Sequence, residues 1–140
     1  MQQLLMINKT LILTLALSTF TMASFAAEPD ISKLPPAAKK AGVTFDADIK
    51  PIIEKSCLKC HSGEKPKGKF RVDTRENILK GADGEKVLEA GNSAKSKMIH
   101  AVADLVADEE MPPLDKRDKY PALTKDQIGL LRAWIDQGAK

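Results

Sequence analysis

Both cysteines of this 140-residue chain fall in one pentapeptide, Cys57-Leu58-Lys59-Cys60-His61. Residues at i and i+3 share one face of a helical turn. Two thiols so placed can reach the two vinyl groups of one porphyrin edge and form thioethers. His61 then projects over the ring and offers an imidazole nitrogen to iron. This spacing predicts one covalently attached haem. Three other chemistries fit less well. A thioredoxin-like pair needs a βαβ pattern around it, which the flanking sequence lacks. Zinc would find two cysteines and one histidine but no fourth ligand and no second C-x-x-C. A plain disulfide or coincidence is the third, but two cysteines and two histidines placed at random would give this arrangement in only roughly two chains in ten thousand.

A haem iron held on one side by His61 needs a group on the other, and Met98, His100 and Met111 compete for it. Met98 shares an apolar helical face with Val102 and Leu105, where methionine usually fills core space. His100 is nearly opposite on that helix, beside Ala103, Asp104 and Ala107, so exposure is expected. Met111 sits in a loop ahead of Pro112 and Pro113. A loop can bring a thioether to iron at an angle that a helix cannot, and two prolines restrict its movement. The expected ligand pair is therefore His61 and Met111. A metal-bound imidazole usually donates its other N–H to a fixed acceptor, here expected to be a backbone carbonyl of the Gly63–Gly68 loop such as that of Pro66. Arg71 and Arg75 are candidates for a haem propionate, with a solvated surface role as the alternative for each.

The elements that must position these groups read as helices. Phe45, Ile49, Ile52 and Ile53 form one apolar face running into Cys57, with Asp48 as N-cap and Pro51 tolerated in the first turn. Asp73 with Glu76 resembles a capping box for a short helix that stops at Gly81. Phe70 and Val72 alternate with charged residues as one short extended piece. A helix from about Ala94 to Val106 buries Met98, Ile99 and Val102. Thr124 with Gln127 is a second capping box, and opens a helix with Ile128, Leu131, Trp134 and Ile135 inward and Gly138 as its stop. Trp134 is expected in the core or against the haem.

Residues 1–26 read as a cleaved signal peptide: a short start with Lys9 alone charged, an apolar stretch from Thr10 to Phe25, and small residues at Ser24 and Ala26. The apolar stretch is shorter than the ~20 residues that span a bilayer, so no stable membrane anchor is expected after cleavage, and the protein should be periplasmic. Residues 27–44, with Pro29, Pro35, Pro36 and the Lys39-Lys40 pair, read as a flexible N-terminal segment. The chain is 43% hydrophobic and 29% charged with a net charge of +3. That balance suits one globular domain and is too weakly basic for a nucleic-acid partner. Beyond the leader only Phe45, Phe70, Tyr120 and Trp134 are aromatic, so the core is thin and a buried cofactor would complete it.

These motifs resemble the planctomycete-type cytochrome c domain. The resemblance rests on Phe45 to Ile53, the C-x-x-C-H, Lys67 to Arg75, Gly91 to Val102, Met111-Pro112-Pro113, and Leu123-Thr124 through Trp134-Ile135-Asp136-Gln137-Gly138-Ala139. It spans residues 45–139 and implies an all-α cytochrome c fold, in which N- and C-terminal helices cross around a covalently bound haem c. Met111 matches the family's distal methionine. The resemblance implies single-electron transfer between redox partner proteins rather than enzyme catalysis. The competing function is a haem peroxidase or gas-binding sensor with an open distal site. Lys59, Lys65, Lys67 and Lys69 could steer an acidic partner or serve solubility alone. Such domains often precede large domains in long chains. This sequence ends just after its last predicted helix, so a stand-alone carrier is expected.

Overall fold

Pro51 shapes the start of the first helix. Having no N–H, it is tolerated only in a first turn. The chain reaches it through a π-helical turn, Phe45–Ile49, whose last step has the Lys50 amide donating to the Phe45 carbonyl. Helix α1, Lys50–Ser56, follows with Pro51 in its first turn. The cap is Thr44, whose hydroxyl accepts from the Ala47 amide, and not the expected Asp48. The Asp48 carboxylate instead accepts from the Thr44 amide at 3.0 Å and pairs with Lys40.

The computed structural model describes residues 28–140, and the leader expected over residues 1–26 lies outside them. Among the described residues the regular structure is helical, and β pairing is limited to isolated bridges joining Phe70 to Ala82 and Ala82 to Glu85. Helix α2, Arg75–Lys80, is capped by Thr74, one residue beyond the expected Asp73. The Asp73 carboxylate is taken by Arg71 and by the Asn77 amide nitrogen at 2.8 Å. Gly81 ends α2 as expected; a Cβ there would lie 1.9 Å from the Glu85 carbonyl oxygen.

The helix expected over Ala94–Val106 is shorter and broken. A 3-10 turn, Ser93–Lys95, gives way at Ser96 to α3, Lys97–Val102. Ser96 is buried, and its hydroxyl donates to the Asn92 carbonyl while accepting the Glu89 amide. Those bonds fix extended backbone at Ser96 and reset the helix. Helix α4, Lys125–Asp136, carries the predicted Thr124–Gln127 capping box. Beyond it the Ala139 amide bonds the Trp134 carbonyl and the Gly138 amide bonds that of Ile135, both at 2.9 Å. That pair is a Schellman closure with glycine at its left-handed position.

The core lies between the Phe45–Ser56 helical segment and α4. Ile49, Ile53, Leu131, Trp134 and Ile135 are buried there. The Phe45 and Trp134 rings meet at 5.8 Å, tilted by 44°. The Trp134 indole N–H donates to the Lys140 carbonyl at 2.8 Å, which satisfies its one polar atom.

The segment read as flexible is instead docked on α4. The Ala38 amide donates to the Gly129 carbonyl at 2.9 Å. Arg132 donates to the Pro35 carbonyl, and Gln137 both donates to the Lys40 carbonyl at 2.8 Å and accepts the Val43 amide at 3.2 Å. Gly129 makes the approach possible, because a Cβ on it would meet the Pro36 carbonyl oxygen at 2.7 Å.

Candidate functional site: a thiol, imidazole and thioether crevice

Helix α1 hands the chain directly to the C-x-x-C-H turn. The Cys57 and Leu58 amides donate to the Ile53 carbonyl at 2.8 and 3.0 Å, and the Cys60 and His61 amides both donate to the Cys57 carbonyl at 3.1 Å. The turn is thus helical in its bonding, which sets Cys57 and Cys60 on one side of it. Both thiols are free and half-buried. Burial, and then the neighbouring Cys60, pushes the Cys57 thiol up to about 11. Before any modification it is a neutral thiol at physiological pH.

The His61 ring is fixed at Nδ1, which lies 3.1 Å from the Phe70 carbonyl oxygen. A carbonyl only accepts, so Nδ1 carries the proton and Nε2 keeps its lone pair for a metal. The Phe70 ring packs edge-on to the imidazole, with centroids 5.6 Å apart and planes at 65°. The His61 carbonyl receives the Val72 amide at 2.8 Å, and the Cys60 carbonyl receives that of Lys67 at 2.9 Å. The expected acceptor, Pro66, is corrected to Phe70. The Pro66 carbonyl is already used by the Lys69 amide at 3.1 Å, within the Lys67–Lys69 turn.

Met111 arrives from the loop after α3. Its amide donates to the Ala101 carbonyl at 3.0 Å. Pro112 follows through a cis peptide bond. The Pro112 carbonyl accepts from Arg117 Nε at 3.0 Å, while the two terminal nitrogens of Arg117 reach the Asp104 carboxylate at 3.0 and 2.6 Å. Asp104 holds the Arg117 guanidinium above its already high ordinary value.

These pieces converge on a crevice of about 460 Å³ walled by His61, Phe70, Val87, Met98, Val102 and Met111. A narrow recess of about 30 Å³ brings Cys57, Cys60, His61 and Met111 together with Tyr120. His61 and Met111 line both spaces. Of the three expected competitors for the sixth position, Met111 and Met98 reach the crevice; Met98 is also buried in the core. His100 does not line it, and its Nε2 is bonded to the Ala94 carbonyl at 2.7 Å. A larger hollow of about 700 Å³ lies between Gly63 and Gly84, but its walls are mostly charged and contain no cysteine, histidine or methionine.

Arg71 and Arg75 are both engaged within the protein. Arg71 pairs with Asp73, and Arg75 Nε donates to the Ala139 carbonyl at 2.6 Å. Lys69 is tied to Asp83 at 2.8 Å. Three contributors escaped the sequence reading. The Phe70 carbonyl is main chain and leaves no residue signature. The Asp104–Arg117 pair joins residues with no periodic relation. The sequence reading carried the helix on to Val106, so nothing in it marked Asp104 as the end of α3.

Among the described residues no group of three or more His, Cys, Asp or Glu side chains is gathered to hold a metal ion unaided. The donor set fits a covalently held haem instead: two thiols in a recess that His61 and Met111 also line, an oriented imidazole, a thioether, and largely apolar crevice walls.

Residues 57–115 match the family described as Planctomycete cytochrome C, a span that includes Cys57, Cys60, His61 and Met111. No curated protein matches the chain. Among solved structures, the hydrazine synthase of Kuenenia stuttgartiensis is similar at 24% identity over 69% of this chain, with a TM-score of 0.44; the match spans 16% of that protein's chain. The match over residues 57–115, on an all-α fold that gathers these donors, supports a planctomycete-type cytochrome c domain over that span, a family whose cofactor is haem c.

Proposed function

We propose that the chain is an exported monohaem cytochrome c that carries single electrons between redox partner proteins and catalyses no reaction of its own. Cys57 and Cys60 would hold the haem through two thioethers, and His61 and Met111 would ligate its iron. One observation carries the reading: His61 and Met111 together line an apolar crevice and also the narrow recess that holds both thiols. The haem, when bound, supplies a ferric–ferrous couple, and sulfur ligation raises its potential by favouring the ferrous state. The chain's own part is to orient the His61 ring through the Phe70 carbonyl, to hold Met111 by its amide, and to keep water from the crevice with Val87, Met98 and Val102. With His61 and Met111 both given to the iron, the chain would leave no open site for substrate.

No helix among the described residues is long and apolar enough to cross a membrane. A periplasmic protein freed of its leader is expected to have an intact mass equal to residues 27–140 plus one haem, and a mass that retains residues 1–26 would overturn the cleavage.

Visible spectra of the purified protein test the ligand set. The ferric form is expected to show a charge-transfer band near ~695 nm, the mark of sulfur on haem iron. The ferrous form is expected to refuse carbon monoxide. Met111→Ala should erase the band, lower the potential and admit carbon monoxide. A wild type that lacks the band and binds carbon monoxide would favour a peroxidase or gas sensor. A band that survives Met111→Ala but vanishes in Met98→Ala would move the ligand to Met98.

A further inference from the structure

Helix α4 stops on a glycine in the left-handed region, Gly138 at φ 93°. Helix α3 stops in the same manner. The Leu105 amide bonds the His100 carbonyl at 3.0 Å and the Asp104 amide bonds that of Ala101 at 3.3 Å. The left-handed residue of this closure is Asp104, at φ 56°. Glycine would occupy that position without the steric penalty of a Cβ. The carboxylate does what glycine cannot: it receives both terminal nitrogens of Arg117. The remaining donor of the same guanidinium, Nε, binds the carbonyl of Pro112, the residue after Met111. The Met111 amide is itself bonded to Ala101, within the last turn of α3. Met111 is thus bracketed, its amide on α3 and its neighbour's carbonyl on a guanidinium anchored to the cap of α3.

We propose that Asp104 and Arg117 are positioning residues whose fork holds the Met111 loop against the end of α3 and keeps the Met111 sulfur at the crevice. This rests on the reading of Met111 as the sixth ligand. The geometry requires arginine, because one planar group must serve a carboxylate in two places and a carbonyl in a third; a lysine ammonium cannot span all three. Asp104 and Arg117 keep 42% and 24% of their side-chain surface exposed. An ion pair so placed adds little to global stability, so its effect is local to the loop.

Exogenous imidazole reads that effect in the ferric, haem-loaded full chain. It reaches iron only after the protein sulfur has left, so its apparent affinity follows the fraction of molecules with the loop open. Asp104→Gly suits the left-handed turn and removes only the carboxylate. Arg117→Lys keeps the charge and loses the fork. Both are expected to bind imidazole about tenfold more tightly than wild type, with the thermal midpoint of Asp104→Gly unchanged. Met111→Ala is expected to bind imidazole most tightly of all, and adding Asp104→Gly to it should change nothing further. Wild-type affinity in both clamp variants overturns the proposal, as does an equal gain when Asp104→Gly is made in the Met111→Ala background. Wild-type affinity in Met111→Ala alone shows that the sulfur is not a ligand, and refutes that assignment along with the role given to the clamp.

Discussion

Gly129→Ala sets two physical effects of opposite sign against each other. Gly129 lies inside α4, where alanine is favoured over glycine by about 1 kcal/mol. Its missing Cβ is also where the N-terminal segment passes. A Cβ would stand 2.7 Å from the Pro36 carbonyl oxygen, which must retreat by about 0.7 Å to reach ordinary contact near 3.4 Å. The Ala38–Gly129 hydrogen bond, now 2.9 Å, cannot follow such a shift. Its loss costs about 1 kcal/mol, and loss of the charge-assisted bond from Arg132 to Pro35 about 1.5 kcal/mol. Set against the helix gain, the net is a destabilisation of about 1.5 kcal/mol, or a fall in Tm of about 6 °C for a domain of this size. Thermal melts of the haem-loaded protein measure it. In a protein lacking residues 28–38 the same substitution should change sign and stabilise by about 1 kcal/mol, since only propensity remains. A raised Tm in the protein that keeps residues 28–38 would refute the docking of this segment on α4.

Three further outcomes are expected. Cys57→Ala and Cys60→Ala should each weaken haem retention in acid–acetone extraction, and the double variant should lose haem entirely; covalent haem in the double variant would disprove the attachment site. Pro66→Gly should leave the reduction potential unchanged in a redox titration, because the imidazole partner is the Phe70 carbonyl, and a clear shift would return that role to the Gly63–Gly68 loop. Asp48 is held below its ordinary value of 3.8, first by Lys40 and then by the Thr44 amide, so what it adds to stability is present above 3.8 and fades as pH falls through the depressed value. Lys40→Ala should move the Asp48 titration back up toward 3.8 in carboxyl NMR of the ferrous protein, and an unmoved titration would show that the ion pair does not form.

The groups gathered at the centre of the molecule were legible because they are written in residue types. C-x-x-C-H, Met111 ahead of two prolines, the Thr124–Gln127 box and the stops at Gly81 and Gly138 all act through local geometry, and each lies where its spacing placed it. What the sequence did not disclose depends on contacts across the fold. Thr74 and not Asp73 caps α2 because Arg71 and Asn77 claim the aspartate. The expected Ala94–Val106 helix breaks because the buried Ser96 hydroxyl bonds backbone on both sides. Pro35 and Pro36 read as a loose tail, yet the Pro35 carbonyl accepts from Arg132 of α4 and Gly129 leaves room for the Pro36 carbonyl. The Phe70 carbonyl had no signature to find.

That carbonyl also bears on how such a protein can vary. The acceptor for His61 Nδ1 belongs to the main chain, and every one of the twenty amino acids carries the same group. No single replacement at position 70 deletes it; only a change in the path of the backbone can. Inherited variation therefore has little purchase on the imidazole side of the crevice, which is buffered against drift. The opposite holds at Met111, Asp104 and Arg117, where single codon changes alter the sulfur or its tether directly. If Met111 is the sulfur ligand proposed above, divergence in redox tuning among descendants of this sequence should accumulate at those three positions, while the partner of His61 stays constant even as the residue at position 70 changes.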